Sequence, residues 1–387
     1  MYTPATSRHF SKQVDESGAV YYVLDTHVAP QQQGFYFVNS CMSDDGRYLW
    51  FYTFYPPAQH RTLGVVDFET DEVCNFPGCL HECGPIVDAE GNCWYCDLNN
   101  LYKRSPDPAV PTQIVQPLPA ELSENGAALL RAPACHLTFS PDKKQVFFDS
   151  ISSAGYKMGV MDLDTGKYTE WCRAEYYRNH GQYNPVHPGI ALTAEDFGAP
   201  YDRSRGTAGI HCDENGIFQR LWVVREDGTQ YVIPPLDGMR ATHEWWSADG
   251  SKVYYCRYEP ANVPCGHRNN GVCCYDIFTG EHRLVAPVAA WHGFTTADEQ
   301  LVVYDENAGF YRGCESRVGL YNVKTGKQVY IVTLNEAMAP PEKPSQYHLD
   351  PHPRFNANEK YIVFTSVKNG DPQVAVAFTE DILPLTE

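Results

Sequence analysis

The feature that most limits how this chain can fold is a short unit that returns seven times, a polar turn followed by an alternating apolar run. The cleanest copy is 241–256, ATHEWWSADGSKVYYC, where Ser-Ala-Asp-Gly separates Trp245 and Trp246 from Val253 and Tyr255. The other copies are NSCMSDDGRYLWFYTF, GPIVDAEGNCWYC, HLTFSPDKKQVFFD, YNPVHPGIALTAEDF, HGFTTADEQLVVYD and HPRFNANEKYIVFTS. Their turns, anchored at Ser43, Asp88, Ser140, His187, Ser247, Thr296 and Asn356, lie 45 to 60 residues apart. A four-stranded propeller blade takes roughly 40–50 residues. Seven copies therefore predict an all-β, seven-bladed propeller filling 1–387 as one domain. Too little chain follows the seventh copy to finish its sheet, so AVYYVLD at 19–25 is expected to supply a strand and close the ring, which removes the free edges.

Composition agrees where it bears on the fold and the partners. The 26 Tyr, 18 Phe, 29 Gly and 28 Pro are strand and turn residues. A net charge of -18 argues against nucleic acid or an anionic membrane as partner and leaves a small anionic ligand open. The start MYTPATSRHFSKQVDESG carries no export-signal pattern, and no run is apolar enough to cross a bilayer. A cytoplasmic protein is expected. Fourteen cysteines, several within strands such as Cys256, Cys273 and Cys274, then read as reduced, packed thiols. The pairs Cys79/Cys83 and Cys93/Cys96 lack a firm zinc spacing and read the same way.

In a propeller the first strand of each blade lines the central channel. Four residues before each anchor stand Asn39, Gly84, His136, Tyr183, His243, His292 and His352. Four of seven are histidine in a chain with 14, so this register is expected to ring one channel mouth with imidazoles. Such imidazoles bind a divalent metal or act as a general base near neutral pH. Taken alone, His136 is open between a strand cap and a direct role. SQYHLDPHPRF adds His348 and Asp350 beside His352. Imidazoles with a carboxylate suit Mn, Fe, Zn or Ni better than Ca or Mg, and a divalent transition metal is the expected cofactor. No Gly-rich phosphate loop or nucleophile elbow occurs.

Several of these segments are similar to the oligogalacturonate lyases, seven-bladed propellers that cleave short uronic-acid oligosaccharides. THEWWSADGS resembles the family segment carrying the catalytic base, which implies that role for His243. RLWVVREDGT resembles the segment of the catalytic arginine, implying Arg220. Ala290-Trp-His-Gly and DPHPRF resemble metal-binding segments, implying His292 and His352. The chain departs from the family where the first histidine of HPHP is Asp350 and a glutamine ligand falls on Tyr347, beside His348. His348 or Asp350 is expected to complete the coordination, and the substrate is left open between oligogalacturonate and another uronide.

The resemblance implies β-elimination on a small acidic oligosaccharide. His243 would take the proton alpha to the uronate carboxylate, a metal would neutralise that carboxylate, and Arg220 would offset charge. His136, Tyr183, His180 and His187 are expected to contact substrate or protonate the leaving group. Trp245, Trp246 and Trp291 suit either sugar stacking or the blade core. Two alternatives stay open, a non-catalytic binding propeller and a metal-dependent hydrolase or epimerase. Nothing in the sequence sets the oligomeric state.

Overall fold

The computed structural model describes all residues except 57, 59, 124–129, 153–154, 198–211, 215–218, 261–266, 307–313, 337–348 and 369. Among the described residues the strands fall into seven antiparallel sheets, the blades of a β-propeller. Their innermost strands are Gln31–Gln33, Ile86–Val87, Thr138–Phe139, Tyr177–Tyr183, Arg240–Trp246, Ala290–Thr295 and Arg354–Phe355. No helix among them is long and apolar enough to cross a membrane.

The repeated turn has a repeated physical cause. In blades one, three and five the serine hydroxyl donates to the aspartate two residues on, Ser43 to Asp45, Ser140 to Asp142 and Ser247 to Asp249, each at 2.7 Å. Thr296 does the same to Asp298 in blade six at 2.7 Å. The fourth turn residue takes a left-handed backbone each time, at Gly46, Lys143, Gly250, Glu299 and Glu359. A short side chain that hydrogen-bonds its own turn is what this geometry selects.

Blade four follows the same rule one step away from the expected anchor. The bond that closes this turn elsewhere, Ser247 N–H to Lys252 C=O, is made in blade four by Asn184 N–H to Ile190 C=O. The anchor is therefore Asn184 and not His187. The Asn184 side-chain oxygen accepts the N–H groups of Val186 and His187 and holds a longer, proline-bearing hairpin.

Ring closure runs as expected and adds a strand. Val20–Leu24 pairs with Asp371–Phe378, the third strand of blade seven, and Phe10–Val14 pairs outside it. The last blade is thus built from both chain ends. The cores lie between neighbouring blades. Between blades five and six, Trp245 stacks on Tyr254 with ring centroids 5.5 Å apart and donates its indole N–H to Thr295. Trp245 and Trp246 are buried core residues near the turn-side mouth.

The thiols divide. Among the described residues twelve cysteines are free, including buried Cys79, Cys83, Cys93 and Cys96. Cys314 is disulfide-bonded, so the expectation of a wholly reduced set does not hold for it.

Candidate active site at the histidine mouth

With Asn184 as anchor, the fourth residue back in blade four is His180, not Tyr183. The column then holds His136, His180, His243, His292 and His352, one from each blade from three to seven. A cavity of about 440 Å³ at this mouth is lined by His136, His180, His243 and His352 together with Arg220, Arg61 and Trp291. Ring centroids are 4.0 Å apart for His243–His292 and 4.4 Å for His292–His352. They are 6.4 Å apart for His180–His243 and 5.5 Å for His136–His180.

The backbone aims these rings by leaving the ladder. His180, His243 and His352 have φ of 56°, 49° and 47°, the left-handed region that side chains with a Cβ rarely occupy. Strand register slips between Asn179 and Gln182, Thr242 and Glu244, and Ala290 and His292. Such bulges re-aim a side chain, and left-handed non-glycine residues persist where their surroundings hold them.

Hydrogen bonds then orient the individual rings. His243 Nδ1 meets the Trp291 carbonyl, which only accepts, so Nδ1 carries the proton and Nε2 keeps its lone pair. Burial pushes the His243 imidazole well below its usual range, and His292, His180 and Arg220 add to the effect. It is therefore neutral around pH 7. Arg220 is also buried, with one guanidinium N–H on the Glu195 carbonyl at 3.2 Å. His180 Nδ1 lies 3.0 Å from the carboxylate of Glu244, which is fully buried.

His292, Asp350 and His352 meet as a buried triad whose donor atoms lie within 4.8 Å of one another. Asp305 organises it. Its carboxylate accepts the His292 N–H at 2.8 Å, the His292 Nδ1–H at 2.9 Å and the His352 N–H at 3.1 Å. Two imidazoles and one carboxylate, with a second carboxylate behind one ring, fit a divalent transition cation. Asp305 and Asp350 are both at 0% exposure, and carboxylates this deeply buried call for compensation by a cation.

The remaining expected residues separate. His136 lines the cavity, stacked on Tyr36 at 4.7 Å, and burial with His180 and Arg61 holds it well below the usual imidazole range. His348 lies outside the described residues. Tyr183 is turned to the opposite mouth, buried against Phe147 and Trp171, with its hydroxyl on the Gly189 N–H. His187 packs edge-on against Phe278 in the turn region. The contact expected of those two is corrected by the anchor shift, which carries them past the cavity. Of the three tryptophans weighed for stacking, Trp291 alone lines this cavity.

Tyr36 escapes sequence reading. It reaches the centre of the mouth from the blade-one loop, with its ring within 5.8 Å of His136, His180, His292 and His352. Gln33, Arg61, Cys135 and Asn179 also line the cavity. Asp305 did leave a signal. The copies HLTFSPDKKQVFFD and HGFTTADEQLVVYD both end in aspartate thirteen residues after the column histidine, at Asp149 and Asp305.

Residues 193–382 match the family described as oligogalacturonate lyase. The chain is 25% identical over 233 residues to an oligogalacturonate lyase of Dickeya dadantii, covering 57% of this chain and 55% of that one. It is 29% identical over 178 residues to an oligogalacturonide lyase of Pectobacterium atrosepticum, covering 43% and 44%. The aligned stretch thus spans about half the length of these relatives. In fold, the chain is similar to a solved oligogalacturonate lyase in complex with manganese, with TM-score 0.73, 20% identity and coverage of 95% and 96%. The Vibrio parahaemolyticus oligogalacturonate lyase gives TM-score 0.72 and 18% identity at the same coverage.

Proposed function

We propose, from the match of residues 193–382 to the oligogalacturonate lyase family, that this chain cleaves short uronic-acid oligosaccharides by β-elimination. One observation carries the reading. His243, with its Nε2 lone pair left available, shares a cavity with Arg220, and its ring centroid lies 4.0 Å from that of His292 in the buried triad.

Elimination begins with loss of the proton alpha to the uronate carboxylate, a weak acid while that carboxylate keeps its charge. His243 Nε2 is the base that takes it. Low proton affinity keeps this imidazole neutral and available in the resting cavity, and an incoming carboxylate offsets Arg220 and raises that affinity when it is needed. Arg220 holds a fixed fork toward the same space and offsets charge on the carboxylate or the departing oxygen. His180, oriented by Glu244, and His136 line the far side of the cavity and border the space that the substrate would fill. Trp291 walls the cavity beside His243, its ring 4.8 Å away.

His292, Asp350 and His352 would hold a divalent cation, which when bound supplies Lewis-acid neutralisation of the uronate carboxylate. Manganese is the cation we propose, supported by the donor set and by the manganese complex of a similar fold. The test is a screen of galacturonide, glucuronide and rhamnose-linked uronide oligomers. Elimination produces a conjugated double bond with near-ultraviolet absorbance. Cleavage without that absorbance means hydrolysis and sinks the proposal, and no cleavage of any of them favours a binding role.

A further inference from the structure

The cavity has a second cluster of donors across Tyr36 from the triad. We propose that Cys135, His136 and His180 form a separate cation site, suited to a thiophilic borderline ion such as Zn2+. The donor atoms of the three lie within 4.8 Å of one another, and the Cys135 sulfur is 3.4 Å from His136 Nε2. One thiolate and two imidazoles make a three-ligand set that leaves a fourth position to water or a ligand. This set differs in kind from His292, Asp350 and His352, since sulfur selects softer ions than a carboxylate does. It also lies outside residues 193–382, so the family match does not bring it.

The surroundings are built for it. Glu244, at 0% exposure, holds His180 by Nδ1 and keeps its other carboxylate oxygen buried with no hydrogen-bond partner. A carboxylate behind a ligand imidazole fixes the ring, and a cation on the other nitrogen offsets the buried negative charge. Asp149 braces the loops, accepting the Cys135 N–H at 2.7 Å and the Gly181 N–H at 2.8 Å. Gly84 closes the wall with bare backbone, where a Cβ would stand 2.8 Å from His136 Nδ1. Arg61 and Arg220 line the same cavity and oppose a cation, and the buried carboxylates of Glu244 and Asp149 stand against them in equal number. On binding, the Cys135 thiol gives its proton to solvent and the sulfur bonds to the ion. Tyr36 stands 4.7 Å from both His136 and His352, so an ion here sets a second positive centre opposite the first.

The test uses the full chain stripped with a chelator, then loaded with Co2+ for spectroscopy and Zn2+ for counting. Wild type should take two equivalents and show a near-ultraviolet thiolate-to-cobalt band. Cys135→Ser, a single-atom change, should lose the band and one equivalent. His292→Ala, or Asp350→Asn if the first fails to fold, should lose one equivalent and keep the band. Glu244→Gln should weaken the cysteine site by about 10–100-fold with circular dichroism unchanged. A single equivalent in wild type, a band that survives Cys135→Ser, or a band lost with the triad alone overturns the proposal.

Discussion

Asp149 and Asp305 occupy the same position three blades apart, each thirteen residues beyond a column histidine, and each carboxylate accepts backbone N–H groups from two neighbouring blades. Asp305 bridges His292 and His352, and Asp149 bridges Cys135 and Gly181. A charged acceptor bonded to two strands at once fixes their relative height at the mouth. The same brace therefore stands behind both donor clusters.

Asp305→Asn tests that brace. The amide keeps one acceptor and turns an N–H toward a backbone N–H, so His292 and His352 lose a shared anchor. Cation affinity at the triad should fall about 10–100-fold and stability by about 1–3 kcal/mol. Calorimetric titration and chemical unfolding read both, and unchanged affinity would remove Asp305 as the organiser.

His243→Asn keeps the size of the site and removes the base. Turnover should fall by about 10²–10⁴-fold. Metal content and the circular dichroism spectrum should match wild type. Retained turnover would strip His243 of its proposed role.

Arg220→Lys conserves charge and loses the planar fork. Because Arg220 is buried with a bond to the Glu195 carbonyl, lysine cannot restore its geometry. A drop in kcat with KM little changed is expected. A rise in KM alone would make Arg220 a binding residue only.

His81 makes stability pH-dependent away from the site. It is buried against Tyr52, and burial pushes its imidazole down to about 3. An unfolded histidine takes up a proton near pH 6.5, so the fold is favoured above that value and loses stability as pH falls toward 3, by about 1.4 kcal/mol per pH unit at most. His81→Phe should flatten the pH dependence of chemical unfolding across this window, and an unaltered slope would contradict the assignment.

Removing residues 1–25 takes both N-terminal strands from blade seven and bares the edge of Asp371–Phe378. An exposed edge templates pairing with another chain. Light scattering should show concentration-dependent association, and a monodisperse truncated protein would mean that the edge is covered another way.

The period of the turns was enough to specify seven blades, because a Ser-x-Asp-Gly turn between alternating runs has few other folds open to it. Local chemistry likewise marked His243, His292, Asp350 and His352, since neighbouring residues set their register. Tertiary structure decided the rest. Asn184 displaced His187 as the fourth anchor because only the closing bond to Ile190 reveals which residue ends the strand. That shift exchanged Tyr183 for His180 at the mouth. Tyr36 reached the centre from an irregular loop with no period to read, and Cys135 joined His136 and His180 because Asp149 ties two blades together. Spacing along a chain sets what each blade can present. Which side chains meet depends on contacts between blades, and those have no fixed separation in sequence.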